Sequence, residues 1–138
     1  PADMPLDAGI SETTDYLIPR LAGIPPVQPL KVKLDRVTPL GLVVSGATTE
    51  DEAVIRDFRD RLTAPFGYRK PDHAGYVLHL TIAYLVRWLP RDVCVIYLQT
   101  LQEMTAAFQA EVPILDLGPA DFCTFDDMNH FEPVLGLS

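Results

Sequence analysis

The chain lacks any hydrophobic run long enough to cross a membrane, and its first residues do not combine a basic segment with an apolar one. Its longest apolar stretch, from Tyr76 to Val86, is too short for a span and is interrupted by His79. These absences predict a cytoplasmic protein that does not enter a membrane.

Basic residues are also scarce. The chain has 11 lysines and arginines but 19 acidic residues, which gives a net charge of -8. A surface that follows a nucleic-acid backbone needs an excess of positive charge. Binding to extended nucleic acid is therefore disfavoured, whereas a local basic pocket for one small phosphate is not. Only Cys94 and Cys123 carry thiols, without C-x-x-C spacing, which favours two reduced cysteines over a disulfide framework.

Several catalytic motifs are absent. The chain has no Walker-type loop and no G-x-G-x-x-G, and in "GLVVSGA" Val43 stands where a nucleophile elbow needs glycine. Nucleotide hydrolases, dinucleotide enzymes and serine hydrolases are therefore disfavoured. "CTFDDMNHFE" lacks the spacing of a known metal site, although it contains the potential ligands Cys123, Asp126, Asp127, His130 and Glu132. We interpret it as a polar turn and predict neither a metal nor another cofactor.

The pattern of elements predicts an α+β fold. A length of 138 residues and a hydrophobic content of 48% suit one domain, or the C-terminal portion of a two-lobe domain, with residues 1–10 as a linker or tail. The order is helix, hairpin, helix, strand, helix and short strands. This order predicts a mostly antiparallel sheet with helices on one face.

Local patterns supply the individual elements. "LKVKLD" alternates apolar and polar residues, as a strand with one wet face does, and "LVVSG" completes a hairpin. Thr49 and Glu52 have the spacing of a capping box that starts the next helix, and Gly67 ends it. A further helix follows Pro90. "ILDLG", "DFCTF" and "FEPVLGL" are predicted as short strands.

The strand predicted in "YVLHLTIAYL" carries the main candidate site. Alternation places His79 and Thr81 on one face, about 6–7 Å apart, and Leu78, Leu80 and Ile82 on the other. An imidazole can act as acid or base near neutral pH, and a hydroxyl can donate a hydrogen bond to a phosphate oxygen. The alternative interpretation is a sheet face that carries one polar pair of purely structural significance.

The loop "YRKPDH" places Arg69, Lys70 and His73 directly before that strand, where they could clamp a phosphate. The alternative is a solvated turn around Pro71. Tyr84, just beyond the motif, is a further candidate for ligand binding.

Three segments, "GLVVSGATTEDEAVIRDFRDRL", "GYRKPDHAGYVLHLTIAYLVRWLP" and "PADFCTFDDMNHFEPVL", resemble a poorly characterised family in the two-histidine (2H) phosphoesterase superfamily. That family is related to the RNA-ligase-like 2′,3′-cyclic phosphodiesterases. The resemblance implies two similar lobes that face each other across a cleft, each with a His-x-Thr/Ser strand. It further implies a metal-independent reaction in which two histidines act as acid and base and two hydroxyls hold the phosphate.

Only His79 and Thr81 match the family motif, and they would form its second copy. His73 and His130 are not followed by Thr or Ser at the required position. Because one motif is missing and the chain begins with proline, we expect the C-terminal part of a two-lobe phosphodiesterase that acts on a small cyclic phosphate or nucleotide. By itself, this chain is expected to be inactive. Its expected partner is an N-terminal fragment of the same protein or a second copy.

Two alternatives to the enzyme stay open. The chain could be a non-catalytic lobe that binds a phosphate or nucleotide, or it could be an interaction domain. Catalysis, binding without turnover and a purely structural role predict different consequences of His79→Ala.

Overall fold

Three helices and six strands form in residues 4–5, 7–127 and 129–137, the part of the chain that the computed structural model describes. The predicted tail at residues 1–10 lies partly outside these ranges. The predicted α+β class is confirmed. The elements are α1 (Ile10–Leu21), β1 (Lys31–Thr38), β2 (Gly41–Gly46), α2 (Thr49–Phe66), β3 (His79–Thr81), α3 (Arg91–Glu111), β4 (Leu115–Asp116), β5 (Asp121–Thr124) and β6 (Glu132–Gly136).

The larger sheet has four antiparallel strands in the order β3-β2-β1-β4, and β5 pairs with β6 in a second sheet. The predicted β1–β2 hairpin is present. Its turn is held by Thr38, whose hydroxyl donates to the Gly41 carbonyl over 2.9 Å and accepts from the Gly41 N–H over 3.2 Å. As the alternation predicts, Val32 and Leu34 are buried while Lys33 faces solvent.

The N-cap of helix α2 lies one residue earlier than predicted. The N-cap is Thr48, whose Oγ1 accepts from the Asp51 N–H over 3.1 Å, and the Asp51 carboxylate accepts from the Thr48 N–H over 3.0 Å. The capping box is thus Thr48 with Asp51, not Thr49 with Glu52. Glu52 has a different task, because its carboxylate accepts a 2.8 Å hydrogen bond from the Gly46 N–H and ties β2 to the start of the helix.

Strand β3 is much shorter than the predicted strand in "YVLHLTIAYL", since it spans His79–Thr81 only. The reason is its partner. Gly41 opens β2, and the N–H groups of Ile82 and Ala83 both donate to the Leu40 carbonyl in the preceding turn. Beyond that carbonyl no β2 residue is left to continue the ladder, so the chain leaves the sheet.

The chain divides into two compact units. Unit 1 comprises the chain up to Leu30, Ala53–His73 and the chain from Gly118 onward. Its core is a cluster of buried apolar side chains drawn from α1, α2 and two loops, with Phe66, Phe122 and Leu135 packed against it. Gly67 has a φ of 59° and ends α2 as predicted, because a left-handed backbone favours glycine. The buried cluster consists of Leu17, Leu21, Val27, Phe58 and Leu137.

Unit 2 comprises Lys31–Glu52 and Ala74–Leu117, which contain the four-stranded sheet and α3. Helix α3 packs on β1. The Thr105 hydroxyl accepts from the Val37 N–H over 2.9 Å, and the Gln109 amide donates to the Leu34 carbonyl over 2.9 Å. These two bonds satisfy backbone groups on the side of β1 away from β2. Among the described helices, none is long and apolar enough to cross a membrane.

Candidate functional site

The His79–Thr81 motif lies on β3, at the end of the four-stranded sheet. His79 pairs with Val43 and Thr81 pairs with Gly41 on the neighbouring strand β2. Gly41 has a φ of 148°, and a side chain there would collide with the Leu80 carbonyl oxygen. Glycine at this position therefore lets β3 approach β2 closely enough to pair, and so it places both candidate residues.

His79 is exposed, and its ring is oriented through one nitrogen. Nδ1 lies 3.3 Å from the Val77 carbonyl oxygen and 3.5 Å from the Tyr76 hydroxyl. Because a carbonyl only accepts, the Val77 contact requires the proton on Nδ1, which leaves the lone pair of the neutral ring on Nε2. In this arrangement Nε2 is the nitrogen available as a base.

Thr81 is exposed two residues further along the same strand. In the described part of the chain, its hydroxyl makes no hydrogen bond, so it is available to a ligand. Residues i and i+2 of a strand share a face about 6–7 Å apart, a separation that allows both side chains to contact one phosphate group. In the structure, His79 and Thr81 therefore lie on one face of β3, as the alternation predicts.

Strand pairing adds two cations to the face that His79 occupies. Arg36 on β1 pairs with Val43, the partner of His79. Lys33 pairs with Ser45, which shares its face with Val43. Ser45 is held by a 2.9 Å hydrogen bond that it donates to Asp35. Alternation predicted Lys33 as exposed, but only the register of the three strands shows that it lies on the face of the candidate site.

A small cavity of about 240 Å³ lies beside His79. Apart from His79, its wall is mainly apolar and comes from the end of β1, the β1–β2 turn, β2, β3 and the residue Val77 before β3. The described lining residues include no lysine or arginine, so the cavity offers shape and one imidazole but no strong anion clamp. They are Thr38, Leu40, Gly41, Leu42, Val43, Val77, His79 and Leu80.

The basic loop predicted as a phosphate clamp belongs to unit 1. Asp60 on α2 accepts from Arg69 Nη2 over 2.9 Å and lies 2.8 Å from His73 Nε2. Both side chains are therefore engaged by one carboxylate. Lys70 and His73 line a cavity of about 520 Å³, together with apolar side chains of α1 and α2 such as Phe66. The structure thus brings the three loop residues together within unit 1.

The remaining candidates are less organised. Tyr84 of unit 2 lies in the irregular segment after β3 and is 52% exposed. Asp126, Asp127 and His130 line a cavity of about 250 Å³ in unit 1. Nevertheless, no group of three or more His, Cys, Asp or Glu side chains within the described ranges could hold a metal ion. The two cysteines are free thiols.

Fold and site together define an α+β protein whose sheet ends in a strand with an exposed His-x-Thr pair. No protein family matches the chain, and no curated protein does so at a significant level. A crystal structure of a conserved protein of unknown function from Agrobacterium tumefaciens is similar, with 33% identity and a TM-score of 0.94. The match covers 100% of this chain and 60% of that chain. The likeness establishes a shared fold and carries no activity.

Proposed function

We propose that this chain supplies one half of a metal-independent phosphodiesterase-like site that acts on a small cyclic phosphate or nucleotide phosphodiester. The observation that carries the proposal is the exposed pair on β3. His79 is oriented through Nδ1 by the Val77 carbonyl, and Thr81 presents a hydroxyl two residues away. We also propose a cytoplasmic location, in keeping with the sequence.

The chemistry follows from the two side chains. Nε2 of neutral His79 can take a proton from an attacking water, while the Thr81 hydroxyl donates to a non-bridging phosphate oxygen. Arg36 and Lys33, on the same sheet face, add positive charge beside the Asp35 carboxylate on that side of unit 2. A net charge of -8 disfavours a long polyanion, which supports a small substrate over extended RNA.

A complete acid–base pair needs a second group to protonate the leaving oxygen. His73 is held by Asp60 in unit 1, and His130 precedes β6 in the same unit. Neither carries the hydroxyl two residues later that the motif requires. The proposal therefore assigns the second histidine to polypeptide outside this chain, and it expects ligand binding without turnover from the chain alone.

The test titrates 2′,3′-cyclic AMP into the chain in the presence of EDTA and measures the affinity by calorimetry, while NMR follows the His79 ring signals in the proteins that keep His79. Binding should shift these signals. We expect His79→Ala and Thr81→Val each to weaken binding about tenfold, as the loss of one hydrogen bond to a charged group does. His130→Ala is the matched control and should bind normally. Equal affinities in all four proteins would contradict the proposal, as would an equal loss in the control.

A specific observation favours a second candidate function, the binding of a phosphate-bearing ligand without catalysis. The described residues that line the 520 Å³ cavity of unit 1 include Arg59, Lys70 and His73 but no acidic residue. In a chain with a net charge of -8, two cations, Arg59 and Lys70, lie beside apolar surface here, and the Asp60 carboxylate contacts His73. Such a site suits a small anion that carries an apolar ring.

Phenyl phosphate and inorganic phosphate distinguish this candidate from the first. If the cavity holds the ligand, phenyl phosphate should bind more tightly than inorganic phosphate. Lys70→Gln should weaken it about tenfold, whereas His79→Ala should have no effect. Lys31→Gln, which removes an exposed lysine of unit 2, is the control. An unchanged affinity in Lys70→Gln would exclude the cavity.

A further inference from the structure

Unit 2 leaves a continuous stretch of large apolar side chains in water. From Ile82 to Leu98 the only charged residues are Arg87, Arg91 and Asp92. We call the exposed apolar side chains of this stretch the apolar surface. Its most exposed members are Ile82 at 72%, Val86 at 96%, Trp88 at 90%, Val95 at 58% and Ile96 at 67%.

The apolar surface is more concentrated than the exposed apolar side chains of an ordinary monomer. Scattered apolar side chains are normal on a monomer, but a concentration of them marks a place where another surface packs. Burying one such side chain fully contributes about 1.5–3 kcal/mol. If a partner buried several of these exposed side chains, their burial would contribute a large favourable free energy to association.

The stretch begins where a backbone edge is also open. In the described sheet, β3 pairs with β2 on one side and has no strand on the other. On the β2 side, the Leu78 carbonyl accepts from the Val44 N–H, and the Ile82 N–H donates to the Leu40 carbonyl in the turn before β2. Backbone groups alternate in an antiparallel strand, so the N–H and C=O groups of His79 and Thr81 face the open edge.

The similar structure supplies the length of chain that could cover both features. It matches this chain over its whole length with a TM-score of 0.94, yet the match accounts for 60% of that protein. The rest of the Agrobacterium protein has no counterpart in this chain. An open edge that is followed directly in the chain by exposed apolar side chains suits an occupant that adds a strand and packs side chains beside it.

We propose that the apolar surface and the open edge of β3 dock a polypeptide segment equivalent to the unmatched part of the Agrobacterium protein, with one of its strands paired to β3. Such a strand would lie next to the backbone of His79 and Thr81. The exposed side chains, the open edge of β3 and the unmatched length of the Agrobacterium protein support this docking whether or not the site is a phosphodiesterase.

Trp88, the only tryptophan in the chain, reports directly on this surface. The experiment compares the chain with a chimera in which it replaces the matched part of the Agrobacterium protein. Both proteins carry 5-fluorotryptophan, and Trp88→Phe assigns the Trp88 fluorine signal. A soluble gadolinium complex should broaden that signal strongly in the chain alone and at least about fivefold less in the chimera. Equal broadening in the two proteins would overturn the proposal.

A variant at Val86 adds a stability readout. Because Val86 is 96% exposed, Val86→Lys should leave the Tm of the chain unchanged. In the chimera, the same change should lower the Tm and restore the broadening of Trp88, since it would place a charge in a buried contact. Val54→Lys, at an exposed position of α2 in unit 1, is the control and should act equally in both proteins. A silent Val86→Lys in the chimera would count against the proposal.

The other occupant is a second copy of the chain. Light scattering on the chain alone, over a roughly hundredfold range of concentration, tests it because self-association follows mass action. A monomer with exposed Trp88 throughout supports the proposal. A dimer in which Trp88 becomes protected as concentration rises would overturn it and make the surface a homodimer interface.

Discussion

Unit 1 and unit 2 use their apolar residues in different ways. Unit 1 gathers Leu17, Phe58 and Leu137 from three separate stretches of chain into one buried cluster, and two of its exposed aromatic rings, Phe125 and Phe131, pack against each other at 5.1 Å. Unit 2 buries Val32 and other side chains of its sheet but leaves much of the Ile82–Leu98 stretch in water. Hydropathy alone treats the two kinds of residue alike. Their difference is whether the chain itself provides a partner.

The comparison is tested most severely by deleting apolar atoms in each unit. Leu21 of unit 1 is fully buried, whereas Ile96 of unit 2 is 67% exposed. Leu21→Ala should lower the free energy of unfolding by about 2–5 kcal/mol, because it loses burial and leaves a cavity. Ile96→Ala should change it by less than about 0.5 kcal/mol. Urea-induced unfolding measures both, and equal losses would show that the two units do not differ in this way.

The variant Gly41→Ala tests whether β2 and β3 of unit 2 pack as closely as the buried side chains of unit 1 do. At a φ of 148° and with the Leu80 carbonyl in the way, Gly41→Ala should cost about 1–3 kcal/mol. Displaced NMR signals of His79 should accompany the loss, since β3 would move away from β2. Gly75→Ala is the control, because nothing lies within 4 Å of a Cβ built there. A stable Gly41→Ala protein with unshifted His79 signals would contradict this account of the site.

The start of α2 lies in unit 2 and offers a smaller, sharper test. Thr48→Ala should cost about 1 kcal/mol, because the side-chain oxygen that caps the Asp51 N–H is removed. Thr49→Ala should have almost no effect, although the sequence pattern predicted Thr49 as the cap. The free energies of unfolding of the two variants show which threonine is the N-cap. A larger loss of stability in Thr49→Ala would support the predicted cap at Thr49.

These elements show how far the sequence could lead. Alternation and helix periodicity predicted the α+β class correctly, and the exposed pair His79 and Thr81 followed from the same rule, because period-2 and period-3.6 patterns are local properties. The length of β3 could not be predicted, since it depends on where β2 begins at Gly41. The caps Thr48 and Thr49 are chemically equivalent, so only the path of the backbone decides between them.

The site was predictable only in part, for a related reason. His79 and Thr81 are neighbours in sequence, whereas Lys33 joins their face through the pairing of three strands. The assignment of Arg69, Lys70 and His73 to unit 1 depends on α2, because Asp60 binds two of them. The 2H phosphoesterase resemblance remains a prediction. The features that the sequence did not predict depend on contacts between residues distant in sequence. No local pattern of a single sequence indicates such contacts.

Asp60 gives the smallest expected effect and tests unit 1 at its surface. It pairs with Arg69 at 2.9 Å and with His73 at 2.8 Å, but its side chain is 55% exposed, so water and salt weaken both contacts. Asp60→Asn should therefore lower the free energy of unfolding by about 0.5 kcal/mol at low salt and by less at high salt. Asp57→Asn, which breaks the pair with Arg61 at 2.9 Å within one helix, is the matched control. Because Asp60 holds two partners from the loop after α2 and Asp57 holds one, the loop signals of Arg69 and His73 should shift only in Asp60→Asn. Identical spectra for that loop in both variants would show that Asp60 does not organise it, and that the cavity beside His73 is shaped by its apolar walls alone.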